Sequence, residues 1–169
     1  KIIFEKTSSL LNSKIIVAKQ TSNEINKHIE NTIEKNQSKK IFFNKDYSFM
    51  LKENNFFYFE DEFGGIKLPK PNLPGEFQLE NISTAIATAR QLTGYKITED
   101  HIRSGVTKVK SIARLQEIKS GKLKNLVQNN QLFVDGSHNP LGAKALNHHL
   151  QSLSCKKHII LGMMVNKDH

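Results

Sequence analysis

Leu132-Phe133-Val134-Asp135-Gly136-Ser137-His138-Asn139-Pro140 carries the pattern of a strand, a turn and a helix start in nine residues. Its first three residues are apolar, one aromatic and one β-branched, and read as a short buried strand. Asp135 and Gly136 stop that strand, and Asn139-Pro140 opens a helix. Asn is a good N-cap, and Pro at the first helical position lacks only an N–H that has no intrahelical acceptor. Asp135, Ser137 and His138 therefore emerge between the carboxyl end of a strand and the amino end of a helix. In open α/β sheets ligands bind in that crevice, and the helix start favours negative charge. Asp135 can accept bonds from sugar hydroxyls there, and His138 can donate to one. The same residues also suit an ordinary βα loop whose polar side chains merely cap and turn.

Outward from this stretch, the helix opened by Pro140 carries Leu146, Leu150 and Leu153 on one face. His158-Ile159-Ile160-Leu161 follows as a second parallel strand ending at Gly162, so the region reads as a βαβ unit opening a Rossmann-like sheet. His148 and His149 lie between the leucines, about 100° apart around the helix, with no Cys or acidic partner to complete a metal-ligand set. They read as a solvated face. A single cysteine, Cys155, excludes an internal disulfide framework and suits a reducing compartment.

Upstream, Ile15-Ile16-Val17-Ala18 is a buried strand, and Thr21-Ser22-Asn23-Glu24 caps a helix running to about Asn36 with Ile25, Ile29 and Ile33 as its apolar stripe. Strand-like runs cover residues 40–43, 47–51 and 55–59, the last two flanking Lys52-Glu53-Asn54 as an antiparallel hairpin. The aromatics Phe42, Phe43, Phe49, Phe56, Phe57, Tyr58 and Phe59 read as sheet core in preference to a base-stacking platform. Asp61–Gly65 is a turn, and Leu68–Gly75, with three of the four prolines, is an extended loop. A helix from about Phe77 to Thr93 buries Ile82, Ala85, Ile86 and Ala89 and closes at Gly94. The next begins with Thr98 as N-cap and ends near Lys108. A domain boundary falls between Lys108 and Ala113, after which Arg114 precedes a strand at Leu115–Ile118. Gly121–Asn125 and Gln128–Asn130 read as polar turns.

The 25 Lys and Arg outnumber the 16 Asp and Glu, giving a net charge of +9 that helps anions approach. The lysines are dispersed and accompany many Asn and Ile residues, so a bias of the whole composition explains the charge without a nucleic-acid partner. No apolar run is long enough to cross a membrane, and the start lacks the apolar core of a secretory signal; the expected location is cytoplasmic.

Asp135-Gly136-Ser137-His138-Asn139-Pro140 closely resembles the Asp-Gly-Ala-His-Asn-Pro signature of the folylpolyglutamate synthase/dihydrofolate synthase family, a branch of the Mur ligases. Three more stretches fit that family in order. Gln78-Leu79-Glu80-Asn81 resembles its His-Gln-x-x-Asn motif, and Arg114-Leu115-Gln116 its Gly-Arg-Leu-Glu motif. Gly162-Met163-Met164-Val165-Asn166-Lys167-Asp168 resembles its Gly-Met-x-x-x-Lys-Asp segment.

The resemblance implies an α/β fold in which residues 1–110 form the C-terminal part of a Mur ligase central ATPase domain. Residues 111–169 would then form the first part of a Rossmann-like C-terminal domain. It implies an ADP-forming ligase that joins L-glutamate to folate or dihydropteroate: ATP phosphorylates the folate-side carboxylate, and the glutamate amine attacks the acyl phosphate. Carried over residue by residue, Asn81 meets the adenine end of ATP, Arg114 the phosphates, Asp135 the ribose and His138 the nucleotide nearby, with no residue given a bond-making role. From type alone, Asn81 reads as a capping residue and Arg114 as a surface residue at a strand start. Arg114 is nonetheless the best phosphate candidate, since a guanidinium is permanently charged and matches phosphate oxygens in a rigid fork.

The departures are Phe77 for the family His, Ala113 for the Gly before Arg114, and Ser137 for Ala. No Gly-x-x-x-x-Gly-Lys-Ser/Thr phosphate loop occurs, so the ligands of Mg²⁺ and the main support of phosphoryl transfer are expected on polypeptide upstream of Lys1, in the same protein or a separate chain. Two other readings stay open: an inactive fragment or split-gene remnant, and a small basic nucleic-acid-binding module.

Overall fold

The computed structural model describes residues 2–7, 10, 13–52, 55–75 and 77–164. It divides into two compact units, one of residues 1–70 with 79–107 and the other of residues 71–78 with 108–169.

The first unit begins with α1 (Ile2–Thr7), a helix the sequence reading missed. Next come β1 (Ile15–Val17), α2 (Asn23–Ile33) and β2 (Lys40–Phe42). β1 and β2 pair in parallel with Ile16 opposite Ile41, so α2 is the crossover of a βαβ unit. Ser22 starts α2 as expected: its hydroxyl accepts from the Ile25 amide at 3.3 Å. The helix ends three residues before the expected Asn36. Ile33 and Ile29 face Ile15, Val17 and Phe42, and Leu10 completes that core.

A three-stranded antiparallel meander follows, of β3 (Tyr47–Lys52), β4 (Phe56–Asp61) and β5 (Gly64–Pro69). The β3–β4 hairpin is as expected, though its turn residues Glu53 and Asn54 lie outside the described residues. β5 was not foreseen, because Gly64, Gly65 and Pro69 read as turn and loop. Its register puts Phe57 opposite Leu68 and Phe59 opposite Ile66, which buries all four side chains on one face. The aromatic run is therefore core, and truncating either fully buried Phe to Ala would cost roughly 3–5 kcal/mol. On the other face the Tyr58 ring lies where a Gly65 Cβ would be, so only glycine admits this approach.

α3 (Phe77–Arg90) spans the two units as divided above. Within the first unit it buries Ile82, Ile86 and Ala87, and Tyr47 ties it down by one hydroxyl, bonded to Thr84 Oγ1 at 3.0 Å and to the Val17 carbonyl at 3.1 Å. Arg90, at its end, donates to the carbonyls of Phe63 and Gly64 at 2.9 Å and pairs with Asp61 Oδ1 at 3.0 Å, pinning the β4–β5 turn. The helix stops three residues short of Thr93; Gly94 adopts φ 85° in the turn beyond. α4 (Glu99–Lys108) starts at Thr98 as read: the Thr98 hydroxyl accepts from the His101 amide, and His101 Nδ1 accepts from the Thr98 amide.

The second unit holds β6 (Gln116–Glu117), α5 (Lys122–Leu126), β7 (Phe133–Val134) and α6 (Pro140–Gln151). α5 replaces the polar turn expected at Gly121–Asn125. β7 is shorter than expected, more than a third exposed, and paired antiparallel with β6. No strand forms at His158–Leu161, where Ile160 is fully exposed. The mixed helix-and-sheet class is as expected, but the βαβ unit foreseen around α6 is absent among the described residues. Two paired residues in β7 supply too short an edge for Ile159–Leu161 to join. Val165–Asp168 of the last motif lie outside the described residues.

Candidate functional site

The turn between β7 and α6 carries Asp135, Ser137 and His138, as the sequence implies. Asn139 caps α6: its Oδ1 accepts from the Gly142 amide at 2.8 Å, with Pro140 next. Against this turn lies the segment Ala113–Leu115, which contains Arg114. The Gly136 amide donates to the Ala113 carbonyl at 2.7 Å, and the Leu115 amide donates to Asp135 Oδ2 at 2.8 Å. Arg114 is thus bracketed on both sides. A Cβ on Gly136 would sit 3.3 Å from the Ala113 carbonyl oxygen, so glycine suits the contact.

Asp135 is more engaged than a free ribose acceptor would be. Its Oδ1 accepts from the Ser137 amide at 2.8 Å and from the Ser137 hydroxyl, while Oδ2 accepts from Leu115. Partial burial alone pushes the carboxyl up. The Ser137 hydroxyl, the Leu115 and Ser137 amides and the nearby Arg114 charge together outweigh that push and hold it below the usual Asp range. The carboxylate is therefore charged, oriented and largely saturated by protein donors.

His138 is exposed, and its Nδ1 lies 2.9 Å from the Gly136 carbonyl. A carbonyl only accepts, so Nδ1 is the donor in this contact and Nε2 is the ring atom left for a ligand hydroxyl. The Arg114 guanidinium is exposed and, among the described residues, has no hydrogen bond or ion pair. Its charge acts on Asp135, which places both in one small region beside the start of α6.

Asn81 stands in the second turn of α3, in the first unit, with its side chain exposed. Its neighbour Glu80 pairs with Lys19 at 2.6 Å. Arg114, Asp135 and His138 are brought together within the second unit, and Asn81 belongs to the other.

Sequence reasoning put Ser137 in this turn but missed its bonds to Asp135, and it missed Ala113 and Leu115 as parts of the site. Ser137 differs from the family signature, which was the available signal; the other two contribute backbone groups, which leave no trace in side-chain type. No group of His, Cys, Asp and Glu among the described residues could hold a metal ion, so the residues present do not fit Mg²⁺. His148 is exposed and His149 half-buried, neither with further metal ligands among the described residues, and Cys155 is an exposed free thiol. No helix is long and apolar enough to cross a membrane among the described residues.

No family model matches the sequence. The chain is 31% identical over 117 residues to folylpolyglutamate synthase of Lacticaseibacillus casei, covering 67% of this chain and 26% of that protein. Its fold matches E. coli FolC, solved in complex with DHPP and ADP, with a TM-score of 0.73 at 20% identity, over 92% of this chain and 34% of that one. It also matches folylpolyglutamate synthase of Thermotoga maritima, with a TM-score of 0.71 at 25% identity, over 89% of this chain and 34% of the other. The chain therefore spans about a quarter of the curated relative's length and about a third of the solved ones. Four motifs in family order, the sequence likeness and the shared α/β fold together make the chain similar to a middle-to-C-terminal part of folylpolyglutamate synthase.

Proposed function

We propose that the chain is the nucleotide-closing part of an ATP-dependent ligase that adds L-glutamate to folate or dihydropteroate. In this reading residues 1–110 belong to the central ATP-binding domain and residues 111–169 to the C-terminal one. Arg114 reaches the ATP phosphates, Asn81 the adenine end, and Asp135 and His138 the ribose and its surroundings. The observation that carries it is Arg114: a permanent cation without a hydrogen-bond partner among the described residues, held by both flanking residues, beside the start of α6. That arrangement suits an anionic ligand. The likeness to a FolC solved with ADP supports a nucleoside phosphate as that ligand.

His138 meets a ribose hydroxyl through Nε2. Asp135 contributes the free lone pair of Oδ2 and, more, the alignment of the loop. Bound ATP supplies the phosphoryl group that activates the carboxylate; residues of this chain orient and neutralise its phosphates. The phosphate loop and the ligands of Mg²⁺ belong to polypeptide outside these residues, in the same protein or a separate chain. The 169 residues alone therefore bind nucleotide weakly and form no amide bond, in the cytoplasm. Isothermal titration of the chain with ADP tests this: Arg114→Ala should weaken binding to the level of adenosine. Equal binding by that variant would contradict the assignment.

A further inference from the structure

Ser137 stands where the family signature has Ala, and nothing in the nucleotide reading uses it. Its hydroxyl donates to Asp135 Oδ1, which also receives the Ser137 amide. Two donors on Oδ1 fix the carboxylate plane, and that orientation aims Oδ2 at the Leu115 amide, 2.8 Å away. The tie matters because Ala113 and Leu115, on either side of Arg114, have φ of 53° and 47°. Side-chain-bearing residues rarely adopt that left-handed region, so the turn persists only where outside bonds over-determine it. The first turn of α6 leaves limited room for the hydroxyl: a Cβ on Gly142 would sit 2.9 Å from Ser137 Oγ.

We propose that Ser137 is a positioning residue for Arg114: by holding Asp135 against the Leu115 amide, it keeps the Ala113–Leu115 turn, and with it the guanidinium, in one arrangement for an oligophosphate. The proposal rests on the reading of Arg114 as a phosphate contact and adds a residue to it. Ser137 touches no phosphate itself. A chain with Ala at this position keeps the Ser137-type amide bond but loses the second donor, and Asp135 gains freedom to turn.

The test uses the 169-residue chain, with amide hydrogen exchange at Leu115 and titration with inorganic tripolyphosphate. Ser137→Ala should speed Leu115 exchange about tenfold, the scale of a weakened bond to a charged acceptor, and weaken tripolyphosphate binding in step. Ser137→Thr, which restores the hydroxyl, should return both. Gly142→Ala, which keeps the hydroxyl but crowds it, should move both in the direction of Ser137→Ala, and serves if that variant fails to fold. In an Arg114→Ala background, Ser137→Ala should cost no further tripolyphosphate affinity. Unchanged Leu115 exchange in Ser137→Ala overturns the proposal, as does an equal loss of affinity with and without Arg114. If Leu115 exchange responds while Arg114→Ala leaves tripolyphosphate binding intact, or if wild type binds none, the phosphate reading itself has failed, and the positioning role falls with it.

Discussion

The Leu115 amide donates to Asp135 Oδ2 at 2.8 Å, joining the residue after Arg114 to the residue that follows β7. Removing the charge at Asp135 should loosen the second unit, because Asp135→Asn replaces one of two acceptor oxygens with a donor. The expected cost is about 1–3 kcal/mol. Asp135 is held below the usual Asp range in the folded chain, so its contribution is present above the unfolded pKa and is lost as pH falls through the folded value. Urea unfolding of wild type and Asp135→Asn, followed at residues of the second unit from neutral to acidic pH, should show the gap closing on the acid side.

Arg90 and Asp61 give the opposite sign. Their side chains are only 13% and 4% exposed, and Asp61 Oδ2 has no hydrogen-bond partner. Burial pushes the Asp61 carboxyl up, more than the Phe63 amide and the Arg90 charge pull it down. Its contribution to stability is therefore present below the unfolded pKa and declines as pH rises through the raised folded value. Arg90→Ala strands the carboxylate and frees two carbonyls, and should cost roughly 3–5 kcal/mol at neutral pH. The loss should shrink in acid, where Asp61 is protonated; a pH-independent loss would contradict this account of the pair.

Gly65 is a packing prediction. Any side chain there meets the Tyr58 ring, whose hydroxyl oxygen lies 1.6 Å from the position of a Cβ. Gly65→Ala should destabilise the meander by about 1–3 kcal/mol, and pairing it with Tyr58→Ala should recover part of that loss. Additive penalties in thermal melts of the three variants would show that the ring had simply moved aside.

What the sequence made legible follows its local signals. Ser22, Thr98 and Asn139 cap their helices as their side-chain chemistry requires, and the alternation of Phe57 and Phe59 announces a one-sided strand. β5 was hidden because Gly64, Gly65 and Pro69 are turn residues by type, and its pairing is set by the partner strand β4. The strand expected at Ile159–Leu161 had the right composition but finds no long edge to join. At the site, the positions of Arg114 and Asp135 were readable from motif order. The backbone bonds from Leu115 and Gly136 that tie them together were not, because every residue but Pro carries the same amide.

Exposed Ile159, Ile160 and Leu161 form a bare apolar run outside any strand. Such surface promotes self-association. Ile160→Lys should shift light scattering at high protein concentration towards monomer while leaving circular dichroism unchanged. Scattering equal to wild type would show that the run is not the adhesive surface.

The role of Arg114 at a nucleotide's phosphates is read out by the affinity for ADP compared with adenosine, in wild type and Arg114→Ala. Wild type should prefer ADP, and the variant should lose that preference while retaining its weak affinity for adenosine. A preference for ADP that survives intact in Arg114→Ala would contradict the account.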